Sequence, residues 1–375
     1  MNHLVRTAVL VGITWAFSSF AMAQGNSASL IDLTTNTVLS HFIVGDNVAA
    51  VAWAGNNVAY VVADDGNVLV RLDMTATPPA ITATYSFPAA FGPHGLAVNP
   101  AGTRALVTGD TSSVLLLDLT TNPITVADTI TVPVLDAGGV AFYSGGTRGV
   151  IVNETNLLFL DLTVTPAGVT TVSLGVNNGI DVAVNTAGTR AAVSIDNGGL
   201  QVVDLTTSPP SLIGGLIGPG LGTADPGGIA VSPDGTRAVY VDESTPAAEA
   251  NVINLTGVPA LVNTVPIALS SPTGVAFNPV SGAVLISADN GVAILNAPYT
   301  TVTATITDPG YTGTTAHAIA VNPAGTRAIV LNEDAPVLAP PTAPPTVVPT
   351  MTPLGLAVLA LLLMAASAIV LVRRR

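Results

Sequence analysis

The chain has 375 residues, a formal net charge of −13 and no cysteine, and its 10 basic residues are all arginines. The lack of cysteine excludes disulfides, thiolate metal sites and a CxxCH haem attachment. A polyanion without a basic patch does not condense on nucleic-acid phosphates or anionic lipid, so nucleic acid is excluded as a partner.

In chain order, residues 1–23 read as a signal peptide. Arg6 supplies the positive start, residues 7–20 an apolar run, and Ala21-Met22-Ala23 a small-x-small cleavage site, so the mature chain is expected to begin at Gln24. Residues 24–334 then carry one motif seven times. Six copies are "LAVNPAGTRALVTGD" (96–110), "VAFYSGGTRGVIVNE" (140–154), "VAVNTAGTRAAVSID" (182–196), "IAVSPDGTRAVYVDE" (229–243), "VAFNPVSGAVLISAD" (275–289) and "IAVNPAGTRAIVLNE" (319–333). A weaker first copy is "VAWAGNNVAYVVAD" (51–64), and the acidic residues that end the copies recur every 42 to 47 positions.

A second landmark alternates with the first: "IDLT" at 31, "LDMT" at 72, "LDLT" at 117 and 160, "VDLT" at 203, "INLT" at 253 and "LNAP" at 295. The Val/Ile/Ala-rich runs on either side of the hexapeptide read as two antiparallel strands joined by a hairpin. The D-L-T stretch reads as a third strand, and segments such as "ITVADTITV" (124–132) as a fourth. Four short strands at this period predict an all-β, seven-bladed propeller of four-stranded blades. The motif starts at strand three and stops after strand two, so N-terminal strands 3 and 4 are expected to pair with C-terminal strands 1 and 2 and close the ring. Closure removes the free sheet edges that template aggregation.

"PHGLAVNPAGTRALVTGD" (93–110) and "PGGIAVSPDGTRAVYVDE" (226–243), each followed by a strand ending in D-L-T or N-L-T, resemble the repeat of YVTN-type β-propeller proteins. The resemblance covers about 300 residues and implies the propeller fold. It does not imply one activity, because related propellers include surface-layer proteins, lactonases and the haem d1 domains of nitrite reductases.

Within "NPAGTR", proline presets the first turn position and glycine takes the left-handed conformation that closes a type I turn with a bulge, a role expected of Gly102, Gly146, Gly188, Gly235 and Gly325. The turn does not require the arginine. Strand order places it beside the D-L-T aspartate, which predicts the pairs Arg104 with Asp118, Arg148 with Asp161, Arg190 with Asp204 and, across the closure, Arg327 with Asp32. Each is read as structural rather than as glycan binding, contributing ~0 to 1 kcal/mol if exposed.

The opposite face gathers the loops that enter strand one. Its ligand candidates are Asp46, His94, Asp136, Asn177, Asp225 and His317, together with the acids that end each copy. His94 and His317 hold the same repeat position one blade apart in a closed ring, so they are the candidates for a metal. No metal site and no cofactor are expected, since zinc takes three or four protein ligands. Neither GxSxG nor a zinc-protease motif is present, and the inner-strand positions are mostly Ala, Val, Gly and Ile.

Beyond the propeller, residues 335–353 ("APVLAPPTAPPTVVPTMTP") read as an extended stalk, up to ~60 Å long at ~3.1 Å per residue. Residues 354–375 read as a transmembrane helix with a tri-Arg tail. Leu354 to Val372 is uncharged and, at ~1.5 Å per residue, long enough to cross a ~30 Å hydrocarbon layer. By the positive-inside rule Arg373, Arg374 and Arg375 stay in the cytoplasm, and the segment holding all 23 acidic residues is exported. "VPTMTPLGLAVLALLLMAASAIVLVRRR" (348–375) resembles the IPTL-type C-terminal sorting signal of Gram-negative exported proteins, although Val348 and Met351 stand where Ile and Leu are usual. The resemblance implies cleavage by an exosortase-like membrane protease near Pro349 and Thr350. The expected protein is therefore a non-enzymatic cell-surface or matrix propeller that binds an unidentified protein or glycan or builds a scaffold. The alternative is a lactonase-type hydrolase working at the channel mouth.

Overall fold

In a computed structural model of the chain, the described residues are 26–45, 47–133, 137–175, 178–196, 199–218, 226–242, 248–289, 291–308 and 315–333. The expected signal peptide (1–23), stalk (335–353) and transmembrane helix (354–375), with Pro349 and Thr350, lie outside them. Among the described residues no helix is long and apolar enough to cross a membrane.

The N-terminal strands are β1 (Asn26–Asp32) and β2 (Thr37–Gly45). Blade 1 is β3 (Val48–Trp53), β4 (Val58–Ala63), β5 (Val68–Asp73) and β6 (Ala80–Ser86). Blade 2 is β7 (Pro93–Val98), β8 (Arg104–Gly109), β9 (Ser113–Asp118) and β10 (Thr125–Thr131). Blade 3 is β11 (Ala137–Tyr143), β12 (Arg148–Asn153), β13 (Asn156–Asp161) and β14 (Gly168–Ser173). Blade 4 is β15 (Gly179–Val184), β16 (Arg190–Ile195), β17 (Gly199–Asp204) and β18 (Ser211–Ile217). Blade 5 is β19 (Pro226–Val231), β20 (Arg237–Asp242), β21 (Glu249–Asn254) and β22 (Ala260–Pro266). Blade 6 is β23 (Gly274–Phe277), β24 (Val284–Ala288), β25 (Gly291–Leu295) and β26 (Ala304–Thr307), and the C-terminal strands are β27 (Thr315–Val321) and β28 (Arg327–Glu333).

Blades 1 to 6 are antiparallel meanders, and the seventh sheet has the order β2-β1-β28-β27. The ring thus closes as the motif phase predicts, with Leu30 opposite Ile329 and Asp32 opposite Arg327. Further contacts fasten this seam on both sides. Trp53 of blade 1 donates its indole N–H to the Ala320 carbonyl at 3.1 Å, and the Ala324 amide donates to Asn56 Oδ1 at 2.8 Å. From blade 6, Asp308 accepts the Ser29 hydroxyl at 2.6 Å and lies 2.9 Å from His41 Nε2. The carboxylate sits between serine and imidazole, so this trio clasps two blades together.

The core is divided among seven layers, each between neighbouring blades. Leu30 and Leu331 of the closing blade pack with Val61 and Leu72 of blade 1, and Leu106 and Leu116 of blade 2 with Ile151 and Leu158 of blade 3. Strands buried on both faces read as near-continuous apolar runs, which is why "LLL" and "VYV" segments lie mid-blade. The outer strands alternate, as in the pattern eeeieie along β6.

The glycines take the expected conformation, with Gly102, Gly146, Gly188, Gly235 and Gly325 all left-handed at φ of +66° to +89°, but the blade 3 turn departs from type I because Ser144 and Gly145 are left-handed as well, at +50° and +66°. Its asparagine has a role that the sequence did not disclose. Asn322 is 2% exposed, and its Oδ1 accepts the amides of Thr326 and Arg327 at 2.8 and 2.9 Å. Asn99 and Asn185 make the same bonds in blades 2 and 4. The glycine is seated against the preceding blade: a Cβ on Gly146 would lie 2.9 Å from Asn99, and one on Gly325 2.3 Å from Asn278 Oδ1. Replacing Asn322 with alanine strands two part-buried amides, so a loss of about 1 to 2 kcal/mol is expected in denaturant unfolding.

The predicted ion pairs do not form, although the register that suggested them does. Arg104, Arg148, Arg190 and Arg327 stand directly opposite Asp118, Asp161, Asp204 and Asp32 in the ladders. Yet the ion pairs among the described residues are His41 with Asp308 and His94 with Asp110. Each aspartate is captured locally instead: Asp118 Oδ1 accepts the Thr120 amide at 2.9 Å and hydroxyl at 2.6 Å, and Asp32, Asp161 and Asp204 repeat this with Thr34, Thr163 and Thr206. Those bonds hold the four carboxyls below the usual range. A bond two residues away costs less ordering than one to a long arginine. Arg327 donates to the Met74 carbonyl of blade 1 at 2.5 Å, and Arg237 meets Asn254 Oδ1 at 2.7 Å.

Candidate functional site

The innermost strands bring the residues just before their V/L/I-A pairs to the channel. They are Ala49-Ala50, His94-Gly95, Gly138-Gly139, Ile180-Asp181, Gly227-Gly228 and Thr273-Gly274, with Ala318 from the closing blade. In six of the seven the ladder shifts register at this point. A bulge leaves amides without a ladder partner. Fully buried hydroxyls on strand two accept three of the amides here: Thr108 that of Gly95, Ser194 that of Asp181 and Ser287 that of Gly274, each at 3.1 Å.

Together these strands line a cavity of about 380 Å³. The second position is small because the strands crowd one another. A Cβ on Gly139 would fall 1.7 Å from Asp181 Oδ1 and one on Gly228 2.8 Å from the Thr273 carbonyl oxygen, while at the first position a Cβ on Gly138 would fall 2.1 Å from the Ile180 carbonyl oxygen. Blade 4 alone places a larger side chain at the second position, Asp181. Its Oδ1 accepts the Val182 amide at 2.7 Å, and its Oδ2 lies 3.4 Å from the Ile229 amide of blade 5. Burial strips water from the carboxylate and pushes its pKa up to about 6, with the two amides only partly opposing. No cationic side chain lies within ion-pair distance of it among the described residues.

Of the residues expected on this face, His94 lines the cavity, and its Nε2 lies 2.7 Å from Asp110 Oδ1. Asp64 adjoins them across Gly92, where a Cβ would lie 2.5 Å from Asp110 Oδ2 and 3.3 Å from Asp64 Oδ1. Burial raises the Asp64 pKa, with His94 opposing and Asp110 and Asp65 adding to the rise. His317 holds in β27 the place that His94 holds in β7, but its side chain lies outside the described set. Asp46, Asp136, Asn177 and Asp225 also lie outside the described residues. Among the described residues no three His, Asp or Glu side chains are grouped to hold a metal.

Asp181 was missing from the candidates, which were drawn from the loops. The signal was nevertheless in the repeat: at its position the other blades carry Ala50, Gly95, Gly139, Gly228, Gly274 and Ala318. A lone carboxylate where six equivalent positions are small is a departure that packing does not demand.

No protein-family model matches the chain, and no curated protein does. Among solved structures it is similar to a functionally unknown protein from Desulfotomaculum acetoxidans DSM 771, with a TM-score of 0.62 and 17% identity over 76% of this chain and 96% of that one. It is also similar to Kuenenia stuttgartiensis hydrazine synthase, with a TM-score of 0.60 and 13% identity over 74% of this chain and 89% of that one. At such identities the likeness is one of fold, and with the seven four-stranded sheets it makes this chain a seven-bladed β-propeller.

Proposed function

We propose that the protein is an exported, non-enzymatic propeller of the YVTN type that serves as a binding or structural unit of the cell envelope, held by its C-terminal segment or released by an exosortase-like protease. The observation that carries the binding part is the make-up of the channel. Mostly small and apolar inner-strand residues surround one carboxylate, with His94 and Thr273 as the other polar side chains, the composition of a pocket that holds a ligand with a few fixed polar contacts. Export and anchoring rest on the residues of 1–23 and 348–375.

A hydrolase of the lactonase type is the second reading, favoured by Asp181 and His94 lining the same cavity. Mass spectrometry of the protein taken from its native envelope tests the first reading. A mature N-terminus at Gln24 and a C-terminus near Thr350 are expected, while an intact Arg375 indicates a plain anchor. An unprocessed Met1 in a cytoplasmic fraction overturns export. Turnover of a lactone panel that Asp181→Asn abolishes would replace the binding reading with the hydrolase.

A further inference from the structure

The channel's chemistry points to a particular kind of ligand. Three facts narrow it, beginning with the carboxylate itself. Asp181 lines the channel with no cationic side chain in ion-pair distance among the described residues, and its neighbours on β11, β16 and β19 are Gly139, Ser194 and Ile229, none of them titratable. Its Oδ2 has a single long contact, so this oxygen retains accepting capacity toward the cavity.

Much of the wall around it is aliphatic, with Val51, Leu96, Val140, Ile180, Val275 and Ile319 lining the same space beside the polar His94 and Thr273. A hard divalent ion needs six or more oxygens and is poorly served by one carboxylate among aliphatic side chains. The Thr273 carbonyl, which would be a further oxygen, already accepts the Gly228 amide at 2.6 Å. Finally, the chain carries a net charge of −13, and a field of that sign concentrates cations and repels anions.

We propose that the channel binds a small organic cation, an aliphatic primary ammonium whose charged head meets Asp181 while its carbon chain lies along the inner strands. The volume of about 380 Å³ admits a molecule of this kind and falls within the range of small-molecule sites. This assignment rests on the binding reading above and gives that reading its ligand class.

The test is calorimetric titration of the full chain at pH 8 with three six-carbon probes: n-hexylammonium, hexan-1-ol and hexanoate. Hexylammonium is expected to bind at least tenfold more tightly than the alcohol, and hexanoate not at all. Asp181→Asn is expected to lose at least tenfold in hexylammonium affinity while its melting curve shows the fold intact. Equal binding of alcohol and ammonium, retained in Asp181→Asn, overturns the ammonium assignment but leaves the channel a binding site. Absence of binding by all three probes overturns the assignment as well. Chemical conversion of a probe, followed by NMR, would instead overturn the non-enzymatic reading, so the two failures are distinct.

Discussion

Asp181→Asn is expected to stabilise the ring at pH 7 to 8. In the folded chain the carboxyl titrates near 6, against 3.8 for an unperturbed aspartate. Between those values the folded state binds the proton and the unfolded state does not, so stability falls as pH rises through the window and the full cost of the buried charge is present above it. Asparagine keeps the shape and an accepting oxygen without the charge. The gain should be on the order of 1 to 3 kcal/mol, the upper figure being two pKa units at about 1.4 kcal/mol each, reduced by water in the channel. As pH falls toward and below 3.8 the unfolded carboxyl is protonated too, so the difference should be small at pH 4 and vanish below it. Denaturant unfolding of both proteins at pH 4 and pH 8 checks this, and a variant less stable than wild type at pH 8 contradicts it.

Gly138→Ala is expected to be severely destabilising. The new Cβ would stand 2.1 Å from the Ile180 carbonyl oxygen and 2.9 Å from its carbon, which are backbone atoms of the neighbouring blade. Those atoms cannot yield as a flexible side chain would, so relief requires β11 and β15 to separate, opening the packing of Val152 and Val182 between blades 3 and 4. A loss of about 3 kcal/mol or more follows from overpacking of this kind. Gly215→Ala, where a Cβ meets nothing within 4 Å, is the control and should change stability by less than about 0.5 kcal/mol. Similar melting of both variants would mean that the inner strands are not in contact around the axis.

The architecture was legible because the sequence writes each blade with the same two marks, the hexapeptide and the D-L-T end of strand three, and because its phase leaves incomplete blades at both termini. Register followed as well, down to Arg327 opposite Asp32. The ion pairs drawn from that register did not, because two groups on facing strands compete with a hydroxyl two residues away, and the local bond needs less ordering. The third letter of D-L-T, Thr34, Thr120, Thr163 or Thr206, was the sign of that competition.

The site was harder to read for a different reason. Sequence reasoning looked to loops and to histidines, and of those residues His94 does reach the channel. Asp181 lies inside a strand, at a bulge between Gly179 and Val182, where simple alternation no longer tells which side a residue takes. Comparing one column of the repeat across blades finds it, because six small residues define what the axis tolerates and the seventh breaks the rule. The buried asparagines of the hairpins escaped notice because a turn motif explains their letters without them.

The most direct test is a carboxyl-carbon NMR titration of Asp181 in the full chain, assigned by difference with Asp181→Asn, with and without n-hexylammonium. A midpoint near 6 in the free protein, moved downward when the ammonium is present, is the predicted result. A midpoint near the ordinary 3.8, unmoved by the amine, would contradict a desolvated carboxylate in the channel without a cationic partner among the described residues.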